Sequence, residues 1–124
     1  MSPTVFIVED DPDIAEVLRF NLEHKGYMVV CEVNGEQAYE SILNNVPDLL
    51  ILDISLPGIS GIEVCRYLKN NEKTRTLPIM ILTARTKKED HEAGLQAGAD
   101  DFITKPFALH DVLDRVDILI RKNK

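Results

Sequence analysis

Polar and charged side chains follow short apolar runs at several places in this 124-residue sequence, namely Glu9, Asp10, Asp53, Thr83 and Lys105. Carboxylates that are packed together repel one another, so at least one should have a raised pKa unless a cation neutralises it. Mg²⁺ is typically held by one or two carboxylates together with water and phosphate oxygens. A carboxylate at a strand end can also act as a nucleophile and form an aspartyl phosphate. A hydroxyl and an ammonium group would then stabilise the phosphoryl oxygens.

The elements that must position these residues are predicted as short strands alternating with helices. Val, Ile and Leu dominate the first four apolar runs without polar alternation, which is typical of strands covered on both faces. The stretches between the runs have apolar residues three to four apart and predict amphipathic helices. The predicted strands are 4–8, 28–33, 49–53, 79–83 and, more weakly, 102–104.

The first and last helices have the clearest sequence signals. Asp11 suits an N-cap, Pro12 suits the first helical turn, and Gly26 suits a C-terminal stop. Ala108 precedes the last helix at a position where a capping side chain would help, a loss of about 1 kcal/mol. The last helix carries one continuous apolar stripe, formed by Leu109, Val112, Leu113, Val116, Leu119 and Ile120.

The order of strand and helix, repeated five times, predicts an α/β fold with a doubly wound, five-stranded parallel sheet. In such a sheet, functional groups collect at the carboxyl ends of the strands, beside the topological switch point. An acid after a single strand is usually an N-cap or a solvated turn residue. Acid, hydroxyl and ammonium groups after successive strands are a much stronger signal for a shared site.

Composition and charge restrict the function further. The chain carries 14 Lys plus Arg against 21 Asp plus Glu, a net charge of −7, which argues against direct binding to nucleic acid or an anionic membrane. Cys31 and Cys65 lie far apart without a CxxC motif, so we expect reduced core thiols. Residues 1–8 lack the basic start and long apolar core of a signal peptide, so we expect none, and no apolar run is long enough to span a membrane. We expect one cytoplasmic domain over residues 1–124.

Several motifs together make the sequence resemble the response-regulator receiver domain of bacterial two-component signalling, with its (βα)5 flavodoxin-like fold. The resemblance covers essentially all 124 residues, either as a complete protein or as the N-terminal part of a longer one. It is greatest to receivers attached to winged-helix DNA-binding domains, which implies an output in transcription. The motifs are Val8-Glu9-Asp10-Asp11, Leu52-Asp53-Ile54-Ser55-Leu56-Pro57-Gly58, Leu82-Thr83-Ala84, Gly98-Ala99-Asp100-Asp101-Phe102 and Lys105-Pro106-Phe107.

The resemblance implies a role for each matching residue. Asp53 would accept a phosphoryl group from a sensor histidine kinase or a phosphotransfer protein. Mg²⁺, with Mn²⁺ as a substitute, would be held by Asp10, Asp53 and the main-chain carbonyl of Ser55, and by Glu9 through water. The phosphoryl group would be bound by Thr83, Ala84 and Lys105, and the Lys105-Pro106 bond is commonly cis in this family.

The output implied by the resemblance is a rearrangement around Thr83 and Phe102. Phe102 stands where Tyr is frequent, so the ring has no hydroxyl to satisfy when it rotates inward. The rearrangement would change the face built from the fourth helix, fifth strand and fifth helix and favour a homodimer upon phosphorylation. This face would include Asp100, Asp101 and Arg115, while His91, Gln96 and Asp117 thin out the opposite charges and predict a weak, salt-sensitive dimer.

Three alternatives are less well supported by the residues. A phosphohydrolase that forms an aspartyl phosphate usually has a second Asp two residues after the nucleophile, where this chain has Ser55. An FMN-binding electron carrier would need a Ser/Thr/Gly-rich phosphate loop after the first strand, where this chain has Glu9-Asp10-Asp11. A receiver that only binds partners would not need the full set of acids, Thr83 and Lys105.

We therefore expect a switch that assists its own phosphorylation and hydrolysis but is not a turnover enzyme. Ser55 and Arg85 border the predicted phosphoryl site and would tune its lifetime.

Overall fold

A computed structural model describes residues 2–85 and 87–123 and confirms the predicted alternation of strands and helices. Met1, Thr86 and Lys124 lie outside the described residues. Each predicted strand agrees with an observed strand to within one residue at either end. The elements are β1 (Thr4–Val8), α1 (Pro12–His24), β2 (Met28–Glu32), α2 (Gly35–Asn44), β3 (Leu49–Leu52), α3 (Gly61–Lys69), β4 (Ile79–Thr83), α4 (Lys88–Ala97), β5 (Asp101–Thr104) and α5 (Leu109–Lys122).

The strands form a five-stranded parallel sheet in the order β2-β1-β3-β4-β5. The chain leaves β1 toward β2 on one side and later returns to place β3 on the other side. The strand order therefore reverses between β1 and β3, and this is the topological switch point at which a doubly wound sheet opens a crevice. The backbone N–H of Asp53, just past β3, donates to the carbonyl of Val8 at the end of β1 (3.0 Å). The residues that follow these two strands are consequently neighbours.

Two apolar layers bury the two faces of the sheet. Ile7 and Ile51 point toward α1 and α5, whereas Phe6 and Leu50 point toward α2, α3 and α4. Burial on both faces explains why the strands lack polar alternation, and each fully buried Leu or Ile stabilises the fold by about 1.5–3 kcal/mol. On one side the helices contribute Leu18, Leu22, Val112, Val116 and Ile120, and on the other Ala38, Ile42, Val64, Cys65, Leu68 and Ala97.

The helix starts differ in how they are capped. The Asp11 carboxylate accepts hydrogen bonds from the backbone N–H groups of Asp13 (3.0 Å) and Ile14 (3.4 Å), so the predicted N-cap of α1 is confirmed. The residue before α5 is Ala108, which gives no side-chain hydrogen bond, as its sequence predicts. Lys87 before α4 gives none either. The buried residues of α4 are Gly94 and Ala97, which are both small, so apolar burial holds this helix weakly.

The two cysteines do not share one environment. Cys65 is buried on α3, and burial raises the pKa of its thiol to about 11. Cys31 is exposed, so the prediction that both are core thiols is wrong for this residue. The physical reason is that Cys31 lies on β2, which is an edge strand. Both are free cysteines. Within the described residues, no helix is long and apolar enough to cross a membrane.

Candidate functional site

Three acidic side chains meet at the carboxyl edge of the sheet. One carboxylate oxygen from each of Glu9, Asp10 and Asp53 lies within 4.8 Å of the other two. Glu9 is 3% exposed and Asp53 is 5% exposed, whereas Asp10 is exposed to solvent. Because β1 and β3 are neighbours in the sheet, residues that are 43 or 44 positions apart in the chain come together here.

The main chain around Asp53 is held from two sides. The carboxylate of Asp53 accepts a hydrogen bond from the backbone N–H of Ser55 (3.2 Å). Gly61 at the start of α3 donates its N–H to the carbonyl of Ile54 (2.9 Å). A Cβ at Gly61 would lie 1.9 Å from the carbonyl oxygen of Asp53, so only glycine permits this close approach. Sequence reasoning missed Gly61, and the available signal was a glycine at the first position of a helix.

Lys105 connects two of the acids from the end of β5. Its Nζ lies 2.7 Å from Oε1 of Glu9 and 3.1 Å from Oδ2 of Asp53, and its side chain is 14% exposed. The other carboxylate oxygen of Glu9 accepts a hydrogen bond from the backbone N–H of Asp11 (3.1 Å). The Lys105-Pro106 peptide bond is cis. Glu9 thus has a direct contact with Lys105 that its sequence position does not reveal.

The charges in this cluster shift one another's titration. Burial raises the pKa of Glu9, while the hydrogen bond from Lys105 and the backbone N–H of Asp11 oppose the rise and the charge of Asp53 adds to it. The sequence predicts one raised carboxyl pKa, and burial rather than repulsion is its largest cause. Burial would lower the pKa of Lys105, but its hydrogen bonds and ion pairs with Glu9 and Asp53 outweigh this effect and raise it.

The donor set fits a hard divalent cation. The carboxylates of Glu9, Asp10 and Asp53 bear three negative charges when they are ionised, and Lys105 offsets one of them. Carboxylate oxygens are the ligands that Mg²⁺ prefers in proteins, and the exposed Asp10 leaves room for the water ligands that Mg²⁺ usually keeps.

The loop after β4 borders this cluster. Thr83 is buried at the end of β4, and its hydroxyl oxygen accepts a hydrogen bond from the backbone N–H of Arg85 (3.2 Å). The Nε of Arg85 donates to the hydroxyl of Ser55 (3.0 Å), and its guanidinium lies 3.5 Å from Asp90. Ala84 between them is exposed. The side chain of Arg85 therefore links the loop after β4 to the loop that carries Asp53.

The residues of the predicted switch and dimer face separate into two groups. Phe102 is half-buried on β5, and Asp101 beside it pairs with Arg115 of α5 (2.7 Å). Arg115 also contacts Asp111 one turn earlier on α5 (3.2 Å). Asp100 points elsewhere: its carboxylate contacts Lys69 of α3 (3.0 Å) and accepts from the backbone N–H of Ile79 (2.8 Å). The structure thus brings Asp101 and Arg115 together, whereas the carboxylate of Asp100 is paired with Lys69 of α3.

The remaining charges predicted near this face are partly engaged within the chain. The carboxylate of Asp117 on α5 contacts both Lys25 and Tyr27, which lie between α1 and β2. Burial would raise the pKa of Asp117, but the hydrogen bonds from Lys25 and Tyr27 together outweigh it, so the pKa is lowered. Burial and the neighbouring Asp117 raise the pKa of Tyr27 to about 12. Asp117 therefore connects α5 to the turn after α1 rather than standing free on the surface.

Comparisons with known proteins agree with this geometry. A family profile described as the response regulator receiver domain matches residues 5–117. The chain is 42% identical over 124 residues to the phosphate regulon transcriptional regulatory protein PhoB of Rhizobium meliloti (strain 1021). The matched region covers 100% of this chain and 55% of that protein. It is also 43% identical over 124 residues to the response regulator MprA of Mycobacterium ulcerans (strain Agy99), and that match covers 100% of this chain and 53% of MprA.

A solved structure is similar over nearly the whole fold. The BeF3-activated N-terminal receiver domain of RstA from Klebsiella pneumoniae has a TM-score of 0.87 and 34% sequence identity, over 95% of this chain and 98% of that chain. The present chain spans about half the length of the curated relatives it matches.

Proposed function

Because this chain belongs to the family of response regulator receiver domains, we propose that Asp53 is its phosphoacceptor and that it works as a phosphorylation switch. The observation that carries the proposal is the position of Asp53. Asp53 follows β3 at the switch point of the sheet, its carboxylate contacts Lys105 (3.1 Å), and the carboxylates of Glu9 and Asp10 lie within 4.8 Å of it.

The proposed reaction is a phosphoryl transfer from a phosphohistidine. A carboxylate oxygen of Asp53 attacks the phosphorus, the phosphorus–nitrogen bond breaks, and the donor histidine leaves with the electron pair and takes up a proton. Lys105, which contacts Asp53, would pair with the phosphoryl oxygens, and the hydroxyl of Thr83 and the backbone of Ala84 would bind them from the end of β4. Receiver domains interact with histidine kinases or phosphotransfer proteins, and we assign one of these as the donor here.

A divalent cation completes the proposed site. Asp10 and Asp53 would hold Mg²⁺ together with the main-chain carbonyl of Ser55, and Glu9 would reach it through water. When bound, the cation neutralises the charge that the phosphoryl oxygens bring to the three carboxylates. Mn²⁺ has the same preference for oxygen ligands and would substitute.

The domain is proposed as a switch without turnover of a separate substrate. The side chain two residues past Asp53 is Ser55, whose hydroxyl oxygen accepts from Arg85 and supplies no general acid of useful pKa. The relatives PhoB and MprA are a transcriptional regulatory protein and a response regulator by name. We therefore assign a transcriptional output, which is reached through a partner or a further domain. We also assign the chain to the cytoplasm. The net charge of −7 makes direct contact of this chain with nucleic acid unfavourable.

Labelling with a small acyl phosphate tests the phosphoacceptor. Acetyl phosphate and Mg²⁺ should add a single phosphoryl group to each chain, and the labelled peptide should be the one that contains Asp53. An acyl phosphate on a carboxylate survives mild acid but is lost in base, so mass spectrometry after each treatment identifies its chemistry. Undiminished labelling in the presence of a chelator, or a label on a peptide without Asp53, would show that the proposal is wrong.

The proposed output is a weak dimer through the face of α4, β5 and α5. Arg115 is already paired with Asp101 and Asp111 within one chain, so contacts across the dimer must compete with these pairs. Sedimentation with beryllofluoride and Mg²⁺ should detect a dimer at high micromolar concentration that dissociates as salt is added. Arg115→Gln should weaken it, whereas Arg121→Gln at an exposed position of α5 should not. A protein that stays monomeric at low salt would contradict this output but not the assignment of Asp53.

A further inference from the structure

An imidazole lies against the ring of Phe102. The ring centroids of His91 on α4 and Phe102 on β5 are 4.4 Å apart, and the two ring planes are inclined by 36°. His91 is exposed while Phe102 is half-buried, so the imidazole covers the outer side of the phenyl ring. The described chain has a second contact of this kind between Phe20 and His24 on α1, at 6.0 Å.

The backbone of α4 supports the same ring one turn later. A Cβ built on Gly94 would lie 3.2 Å from Cε2 and 3.3 Å from Cδ2 of Phe102. The ring therefore approaches α4 closely at Gly94 and lies against His91 on its outer side. Both contacts hold Phe102 in the half-buried position that the structure shows.

Several charged groups on the elements that flank His91 are engaged in ion pairs, whereas Glu89 of α4 has none among the described residues. On α4, Asp90 pairs with Arg85, Lys88 pairs with Glu92, and Lys87 lies one turn before His91. On β5 and α5, Asp101 and Asp111 both pair with Arg115. Among the described residues the imidazole of His91 has no hydrogen bond or ion pair, and it packs against the ring of Phe102.

We propose that His91 is a positioning residue of the switch, which holds Phe102 in its half-buried position more strongly when the imidazole is protonated. The inference rests on the proposed function together with the rearrangement implied by the family resemblance, in which Phe102 rotates inward once Asp53 is phosphorylated. A cation within about 6 Å of an aromatic centroid is attracted to the ring. Histidine is the side chain whose charge ordinarily changes between about pH 5 and 8. Acidic pH thus opposes the active conformation.

The sign of the coupling follows from linkage. If protonated His91 favours the half-buried ring, a phosphoryl mimic that favours the inward ring must bind less tightly at low pH, because coupling between two binding events is reciprocal. At an exposed site the expected weakening is about two- to fivefold. Asp53 and its neighbours make binding of the mimic depend on pH as well. The contribution of His91 is therefore obtained by comparing the pH dependence of binding in the parent with that in a variant without His91.

The experiment uses the chain labelled with 4-fluorophenylalanine and observed by fluorine NMR. Beryllofluoride with Mg²⁺ is titrated at pH 6 and pH 8 into the parent and into His91→Gln, and the Phe102 resonance is identified with Phe102→Leu. The ratio of dissociation constants, pH 6 over pH 8, should be about two- to fivefold larger in the parent than in His91→Gln. The Phe102 resonance of the free protein should shift between these pH values only when His91 is present.

The controls separate this inference from a general effect of histidine. His24→Gln removes an imidazole stacked on another phenyl ring, at α1, and should retain the ratio of the parent. In the Phe102→Leu background, His91→Gln should no longer change the ratio. Equal ratios in the parent and His91→Gln, or an effect of His91→Gln that persists without Phe102, would overturn the inference. Absence of beryllofluoride binding at either pH would instead overturn the proposed phosphoacceptor, since the fluorine titration of the free protein still reports the ring contact.

Discussion

The Asp53→Asn variant should take up no phosphoryl group under conditions that label the parent chain completely. The substitution retains the shape of the side chain and can keep the hydrogen bond from the N–H of Ser55, so the fold around the site should persist. An amide oxygen is a far weaker nucleophile than a carboxylate, and its phosphorylated product would not be a stable acyl phosphate. The measurement is the mass of the intact chain after incubation with acetyl phosphate and Mg²⁺.

A matched control for this variant lies at the other end of the same strand. Asp48 precedes β3, is exposed, and accepts a hydrogen bond from the backbone N–H of Thr4 (2.7 Å). Asp48→Asn makes the same chemical change away from the site and should label like the parent. Appreciable labelling of Asp53→Asn, at the same rate as Asp48→Asn, would exclude Asp53 as the phosphoacceptor.

Replacement of Lys105 by Met should lower the free energy of unfolding by about 3–5 kcal/mol at pH 7 in the presence of a chelator. Met is similar in length but carries no charge, so Glu9 and Asp53 would face each other in a buried site without the ammonium group that contacts both. Urea denaturation measures the loss. Millimolar Mg²⁺ should recover part of it, because a cation held by the acids replaces the missing positive charge.

The pH dependence of this loss has a defined sign. The pKa of Glu9 is raised in the folded protein from its ordinary value of 4.5, so its contribution to stability is fully present below the unfolded pKa and is lost as pH rises through the folded pKa. Lys105 opposes this rise, and its removal should raise the pKa of Glu9 further. The deficit of Lys105→Met should therefore be large at neutral pH and shrink as pH falls toward the unfolded pKa of the carboxyl.

Lys88→Met provides the comparison for the loss of a lysine charge. Lys88 forms an exposed pair with Glu92, with side chains that are 87% and 55% exposed. Exposed pairs of this kind contribute about 0–1 kcal/mol, so Lys88→Met should change stability little. A deficit of Lys105→Met that is as small as that of Lys88→Met, or that stays constant as pH falls, would show that the two contacts of Lys105 do not stabilise the fold.

The fold could be predicted because its signals are local. Uninterrupted apolar runs predict strands that are buried on both faces, and both faces are indeed covered by helices. Asp11 and Pro12 predict the start of α1, since an N-cap depends on hydrogen bonds within one turn. The meeting of Glu9, Asp10 and Asp53 follows from topology alone, because parallel strands end at the same edge of the sheet.

Contacts between distant side chains could not be predicted in this way. Lys105 contacts Glu9 as well as Asp53, and Asp100 contacts Lys69. These pairings depend on how deeply each side chain is buried and where it points, which the packing of the helices determines. The exposure of Cys31 depends on which strand lies at the sheet edge, and its own apolar neighbours in sequence do not report this. The need for glycine at position 61 arises because a Cβ there would lie 1.9 Å from the carbonyl oxygen of Asp53, a proximity that appears only in three dimensions.

The weak apolar burial of α4 limits the free energy that is needed to move this helix. Gly94 offers no side chain and Ala97 offers one methyl group to the apolar layer, and no side chain caps the helix start. One buried methylene stabilises a structure by about 0.8 kcal/mol, and one hydrogen bond contributes about 0.5–1.5 kcal/mol net. A single new bond at Thr83 is then comparable in free energy with the apolar burial that α4 would have to rearrange. In the proposed switch, a small local input at Thr83 would thus be enough to shift α4, because little apolar burial holds this helix in place.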